Sequence, residues 1–183
     1  HSFSSLAKWW NGENKKGRHL WPGTASSRVM SDTDPGRPAS EILRQIQVTR
    51  ESAANRFGSG HLHWSFAAIK ADRGGLRKKL PTVYQAVAIP PASPWLSPPK
   101  APPAPKPSIQ VRDGRAVVVF GAPQKNARWR LVQARPQSGG PWFTLRLAPG
   151  GAPELTLPDA PAEIAVRNVG YAGTLSETVG FAR

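Results

Sequence analysis

The side chains best suited to chemistry in this chain are imidazoles and indoles set two residues apart. His19 and Trp21 flank Leu20 in one short apolar run. His61 and His63 flank Leu62 in another, with Trp64 and Ser65 directly after. Residues two apart on an extended strand point to one face, so His19 sits beside Trp21 and His61 beside His63. A flat indole packs on the apolar C–H faces of a sugar ring, while an imidazole or hydroxyl hydrogen-bonds a sugar hydroxyl. That makes His19, Trp21, His63, Trp64 and Ser65 the candidate substrate-binding set. Each has a plainer role beside it: burial between strand and helix for the indoles, a satisfied core position for His19. The His61/His63 spacing also suits two metal ligands. No third ligand is identifiable nearby, since Asp72 lies too far along, so neither a metal nor a cofactor is expected.

Carboxylates are less promising. Glycoside hydrolysis needs a carboxylic acid to protonate the leaving oxygen and a carboxylate as nucleophile or base. Glu13 precedes a strand, Glu41 and Glu51 lie on a helix, and Asp72 follows a strand. Asp32 and Asp34 fall on a loop after a strand end, but beside Pro35-Gly36, where turn formation explains them. No Ser/His/Asp nucleophilic set is visible, and neither Gly36 nor Gly74-Gly75 makes a phosphate loop. No catalytic residue is assigned.

The elements that must position these groups alternate. Residues 3–16 carry Phe3, Leu6, Ala7, Trp9 and Trp10 at helical spacing and close on Lys15-Lys16-Gly17. His19-Leu20-Trp21 reads as a strand buried on both faces, ended by Pro22-Gly23. A turn-rich loop over 24–39 leads to Ser40 as N-cap of a helix running to Arg56, with Ile42, Ile46, Ala53, Ala54 and Phe57 on its apolar stripe and Gly58 and Gly60 ending it. Residues 61–66 form a second strand, and Ala67, Ala68, Ile69, Leu76 and Leu80 a further helix interrupted by Gly74-Gly75. Crossovers of this length suit a right-handed parallel unit.

Between Pro90 and Pro107 nine of eighteen residues are proline, too many for a helix or inner strand, which sets a border. Beyond it the rhythm changes to short alternating runs. Ile109/Val111 and Val117/Val119 flank the turn Asp113-Gly114, a hairpin signal. Runs at Trp129–Val132, Trp142–Leu147, Leu155/Leu157, Ile164–Val169 and Leu175–Phe181 follow. Seven short strands with turns between predict an immunoglobulin- or fibronectin-type β-sandwich. Trp129 and Trp142 would suit a carbohydrate platform, but as strand tryptophans of such a sandwich they are expected in its core.

The chain has no cysteine, which excludes disulfides and thiolate metal sites. No apolar run reaches the roughly 18 residues needed to span a bilayer. The formal charge of +14 raises nucleic acid as a partner, but the basic residues are dispersed and Arg77-Lys78-Lys79 is their one run of three, so nucleic acid is the weaker alternative.

Taken in order, Trp9-Trp10…Asn14-Lys-Lys-Gly-Arg-His, then Gly17-Arg-His-Leu-Trp-Pro-Gly23, Glu41-Ile-Leu-Arg-Gln-Ile…Thr49-Arg50 and Gly60-His-Leu-His-Trp-Ser-Phe66 resemble the family 10 glycosylhydrolase-like proteins, bacterial (β/α)8-barrel carbohydrate enzymes. Leu80…Tyr84…Pro90 and Pro94-Trp95-Leu96 are similar to the exit from that barrel into an appended fibronectin-like domain. The resemblance implies that residues 1–89 supply the last two strand-helix units of a barrel, 90–107 a Pro-rich linker and 108–183 a fibronectin type III-like sandwich. It implies a polysaccharide or oligosaccharide ligand and an extracytoplasmic location. A barrel takes roughly 250 residues, so this chain is expected to be the C-terminal portion of a longer enzyme whose catalytic carboxylates lie elsewhere. The alternative is a non-catalytic carbohydrate-binding or interaction module.

Overall fold

The computed structural model describes residues 2–53, 60–96, 100–157 and 161–182. They form two compact units, His1–Gln85 and Ala86–Arg183.

The first unit opens with α1 (Phe3–Glu13), capped by Ser2, whose hydroxyl accepts from the Ser5 amide at 3.2 Å. Gly17 follows at φ +60°, a conformation cheap for glycine after a helix end. β1 (Gly23–Thr24) and β2 (Leu62–His63) then pair in parallel, Gly23 opposite Leu62 and Thr24 opposite His63. The ladder does not fall on His19-Leu20-Trp21, where the sequence places it. Pro22 lacks an N–H but keeps a carbonyl, which accepts from the Leu62 amide at 3.0 Å. Proline is therefore the first rung, and the strand runs downstream of it. β2 is shorter than 61–66 because Ser65 already serves as N-cap of α3 (Phe66–Lys70). The Trp64–Ser65 peptide is cis.

Between the strands lies α2 (Ala39–Ala53). It begins one residue before Ser40, which is therefore helical and not the cap. The continuation to Arg56 with Phe57 and Gly58 falls outside the described residues. Gly74 and Gly75 take φ +55° and +76° and turn the chain from α3 into α4 (Leu76–Lys79). Val29, Ile42, Ile46, Ala68, Leu76 and Leu80 are buried together as the core. α1 lies against α2.

The second unit holds seven strands: β3 (Ser108–Arg112), β4 (Arg115–Val119), β5 (Trp129–Arg135), β6 (Phe143–Pro149), β7 (Glu154–Thr156), β8 (Glu163–Val169) and β9 (Val179–Ala182). They form two antiparallel sheets, ordered β3-β4-β7 and β6-β5-β8-β9. Asp113 and Gly114 link β3 to β4 at φ +50° and +74°, the two positive values a tight I′ hairpin needs. Val118, Phe120, Val132, Leu157, Ile164 and Val166 meet between the sheets, closing a β-sandwich.

Trp129 and Trp142 are not part of that core. On β5 the inward positions belong to Arg130, Val132 and Ala134, which turns Trp129 outward beneath the Arg128 guanidinium, 5.6 Å from the indole centre. Trp142 stands before β6, 41% exposed, with the Arg135 guanidinium 4.8 Å from its ring. The aromatic place in the core is filled by Phe120, with fully buried Arg130 stacked on it at 5.0 Å. Arg130 has no carboxylate partner among the described residues. It donates to the carbonyls of Gly150, Phe120 and Ala122 at 2.9, 2.9 and 3.2 Å, and burial lowers its pKa.

The proline segment packs on this unit. The Ser93 amide donates to the Ala172 carbonyl at 2.6 Å, and Asn168 Nδ2 to the Pro103 carbonyl at 2.8 Å. Pro102 and Pro105 are buried, so much of 90–107 is a strap on the sandwich and not a free linker.

Candidate functional site

Side chains around the parallel pair divide between two environments. One is apolar and open: Trp21 is 47%, Leu62 58% and Trp64 75% exposed. Trp21 stacks on His19, ring centres 5.9 Å apart and planes 10° from parallel. Its indole also crosses Gly60 so closely that a Cβ there would lie 2.7 Å from Cδ1 and Nε1. A glycine before β2 thus gives the indole room to lie flat. Beside Trp21, an apolar groove of about 410 Å³ runs between α1 and the segment entering β1, lined by Phe3, Leu6, Ala7, Trp10, Leu20 and Pro22.

The other environment is polar and half-buried. His61 and His63 lie together, ring centres 5.2 Å apart. The Thr24 hydroxyl donates to the Leu62 carbonyl at 3.1 Å, so toward His63 Nδ1, also 3.1 Å away, it acts as acceptor. Ser26 Oγ approaches the same nitrogen at 2.8 Å. This network assigns the proton of His63 to Nδ1 and leaves the Nε2 lone pair facing Tyr84 Oη at 2.8 Å. Tyr84 O–H donates to that lone pair, and His61 Nε2–H donates to Tyr84 Oη in turn. His61 Nδ1 is then a bare lone pair. That fits its being buried without a partner, because an orphaned N–H is less tolerable than an orphaned acceptor.

Burial, the neighbouring His63 and the Arg50 guanidinium together pull the His61 pKa down to about 4. His63 is lowered by burial as well. Burial raises the pKa of Tyr84, against the opposing pull of Arg50, whose guanidinium lies 5.8 Å from the phenol ring centre. At neutral pH both imidazoles are therefore uncharged.

Of the substrate-binding set, the structure places His19 with Trp21, stands Trp64 in solvent just past β2, ties His63 into the polar cluster and uses Ser65 as the backbone cap of α3. Tyr84 and Ser26 are the residues sequence reasoning missed. Four of the carboxylates are engaged locally. Asp34 pairs with Arg37 at 2.7 Å and Arg28 at 3.6 Å beside a Ser31–Asp34 bridge, which is a turn role. Asp72 accepts from the Arg77 amide at 2.8 Å, Glu41 from Gln45 at 2.9 Å and Glu51 from Gln47 at 2.8 Å. Among the described residues no three of His, Cys, Asp and Glu gather as metal ligands, and no helix is long and apolar enough to cross a membrane.

The sandwich carries an apolar cleft of about 230 Å³, lined by Ile109, Val111, Ala116, Ile164 and Phe181. It falls short of the roughly 300 Å³ at which small-molecule pockets begin.

No protein-family model matches the sequence, and no curated protein matches it. Among solved structures, an Fn3-like protein from Clostridium thermocellum is similar at 20% identity and a TM-score of 0.35, over 44% of this chain and 92% of that one. The likeness is slight; the Fn3-like sandwich here rests on its three-plus-four strand pairing.

Proposed function

We propose that this chain is the C-terminal portion of a glycoside-hydrolase-like enzyme acting on a polysaccharide, supplying a substrate-contacting wall and an accessory sandwich. The observation that carries the reading is the open face of the parallel pair, where Trp21, Leu62 and Trp64 stand in solvent. Parallel strands are normally covered on both faces, and a lone pair with bare indoles is an unfinished sheet. Closing a (β/α)8 barrel around it would bring further strands beside the pair and set Trp64, directly after β2, near the C-terminal end where barrel enzymes bind substrate, with Trp21, before β1, toward the other end. The acid and the nucleophile would come from those strands, in keeping with the local engagements of Asp34, Asp72, Glu41 and Glu51. An extracytoplasmic location belongs to the same proposal.

The test is the enzyme containing this chain. Trp64→Ala, with the fold intact by circular dichroism, is expected to lower polysaccharide turnover at least tenfold, and Trp21→Ala to lower it less. Unchanged turnover in Trp64→Ala would remove that indole from the site.

A second reading, a non-catalytic carbohydrate-binding or interaction module, is favoured by Tyr171 and Trp142, 74% and 41% exposed on the sandwich. Glycan-array binding by residues 86–183 alone, lost on Tyr171→Ala, would support it.

A further inference from the structure

The His61–Tyr84–His63 cluster does more than hold strand to helix. Three heteroatoms, His61 Nε2, His63 Nε2 and Tyr84 Oη, converge on one point, brought there from positions 21 and 23 residues apart in sequence. His63 has the arrangement typical of a metal-ligating histidine. Its Nδ1–H is held by Ser26 and Thr24 at 2.8 and 3.1 Å, which fixes the ring and aims the Nε2 lone pair outward. The cluster is partly open to water, with Tyr84 40% exposed, so solvent can complete a coordination sphere.

We propose that His61, His63 and Tyr84 form a mononuclear site for a late divalent transition metal, with copper(II) the best match. Imidazole and phenolate oxygen are ligands this ion favours, and copper(II) heads the affinity order of the divalent first-row metals. The hydrogen-bond spacing of the cluster needs least change around a tetragonal ion. With bonds of about 2.0 Å, neighbouring ligand atoms lie about 2.8 Å apart around a tetragonal ion and about 3.3 Å apart around a tetrahedral one. His63 Nε2 and Tyr84 Oη are 2.8 Å apart. The closer His61–Tyr84 contact has to widen. The balance is simple: the metal takes three lone pairs, Tyr84 gives up its phenolic proton to solvent, and the His61 proton moves from Nε2 to Nδ1. His61 Nδ1 has no acceptor among the described residues, so His61 is the weaker of the two imidazole ligands.

The full chain with His1→Ala and His19→Ala, which removes the other histidines, is titrated with copper(II) and separately with zinc(II). Binding is followed by visible absorption and by calorimetry. Expected are one equivalent of copper and a phenolate-to-copper charge-transfer band. Tyr84→Phe abolishes the band, His63→Gln weakens affinity at least tenfold, and Ser26→Ala weakens it about tenfold, the usual effect of an outer-shell partner. Should His63→Gln fail to fold, Tyr84→Phe, which removes a single oxygen, decides. Absence of the band at one equivalent overturns the site, as does equal affinity in Tyr84→Phe. Zinc binding more tightly than copper overturns the tetragonal assignment.

Discussion

The two units of this chain both bury an apolar core and both leave large apolar side chains in solvent, but the exposed indoles are concentrated in the first. The sandwich seals Val118, Phe120, Val132, Leu157 and Val166 at no more than 1% exposure, with the Arg130 guanidinium also buried, yet leaves Val111, Phe143 and Tyr171 at least half exposed. The first unit buries its helical core but leaves Trp9, Trp10, Trp21, Leu62, Trp64 and Phe66 more than two-fifths exposed. A two-residue parallel pair has too few rungs to form a sheet of its own, and among the described residues no further strand pairs with it. Four exposed indoles in the first unit stand against one, Trp142, in the second among the described residues. All four histidines also lie in the first unit, so the two should respond differently to proton concentration as well as to truncation.

That contrast can be broken, and the largest expected effect comes from the sandwich core. Phe120→Ala should cost the second unit about 3–5 kcal/mol, in the range of other large-to-small core changes. Hydrogen exchange read peptide by peptide should show protection lost from β4, β5 and β8 and kept in α2. Loss in both units would mean they unfold as one. Acid should do the reverse. The His61 pKa lies below its unfolded value, so the unfolded chain binds the extra proton. Stability from this group is complete above about pH 6.5 and is lost as pH falls toward about 4. The thermal midpoint of the first unit should drop across that window, and His61→Gln should flatten the dependence.

Smaller effects sharpen the local picture. Gly173 has φ +73°, and a Cβ on it would sit 2.5 Å from the Pro91 carbonyl, so Gly173→Ala should cost about 1–3 kcal/mol by lifting the strap. Urea denaturation of residues 86–183 measures it, with 106–183 as the strapless reference. Gly60→Ala should shift stability by only about 1 kcal/mol or less, because exposed Trp21 can swing away. Its mark should be a changed Trp21 fluorescence.

What was legible in the sequence follows the range of the interactions. Asp113-Gly114 announced its hairpin because the backbone demand is met by those two residues alone. The alternating runs around it announced the seven strands for the same reason. Pro22 misled because proline loses its donor but keeps its acceptor, and a first rung uses only the acceptor. Trp129 misled because residue type points inward while strand alternation, set by Arg130 and Val132, points it outward. Tyr84 could not be read at all. It reaches His61 and His63 only after α3 and α4 have turned the chain back, a consequence of Gly74, Gly75 and the buried Leu76 and Leu80. The proline segment read as a spacer from composition. Its order comes from buried Asn168, 65 residues beyond Pro103, and from Gly173, whose backbone passes close to Pro91.

The strap has a mechanical consequence. Tension drawn along the chain from the side of Ala86 meets the Ser93–Ala172 hydrogen bond first and the Pro103–Asn168 bond next, both before any strand of the sandwich. These fastenings are loaded one after another, as in peeling, whereas the β5–β8 ladder shares its load across a full run of rungs. The strap is thus a yielding element in series with a stiff one: under pull it lengthens first and leaves the sandwich whole.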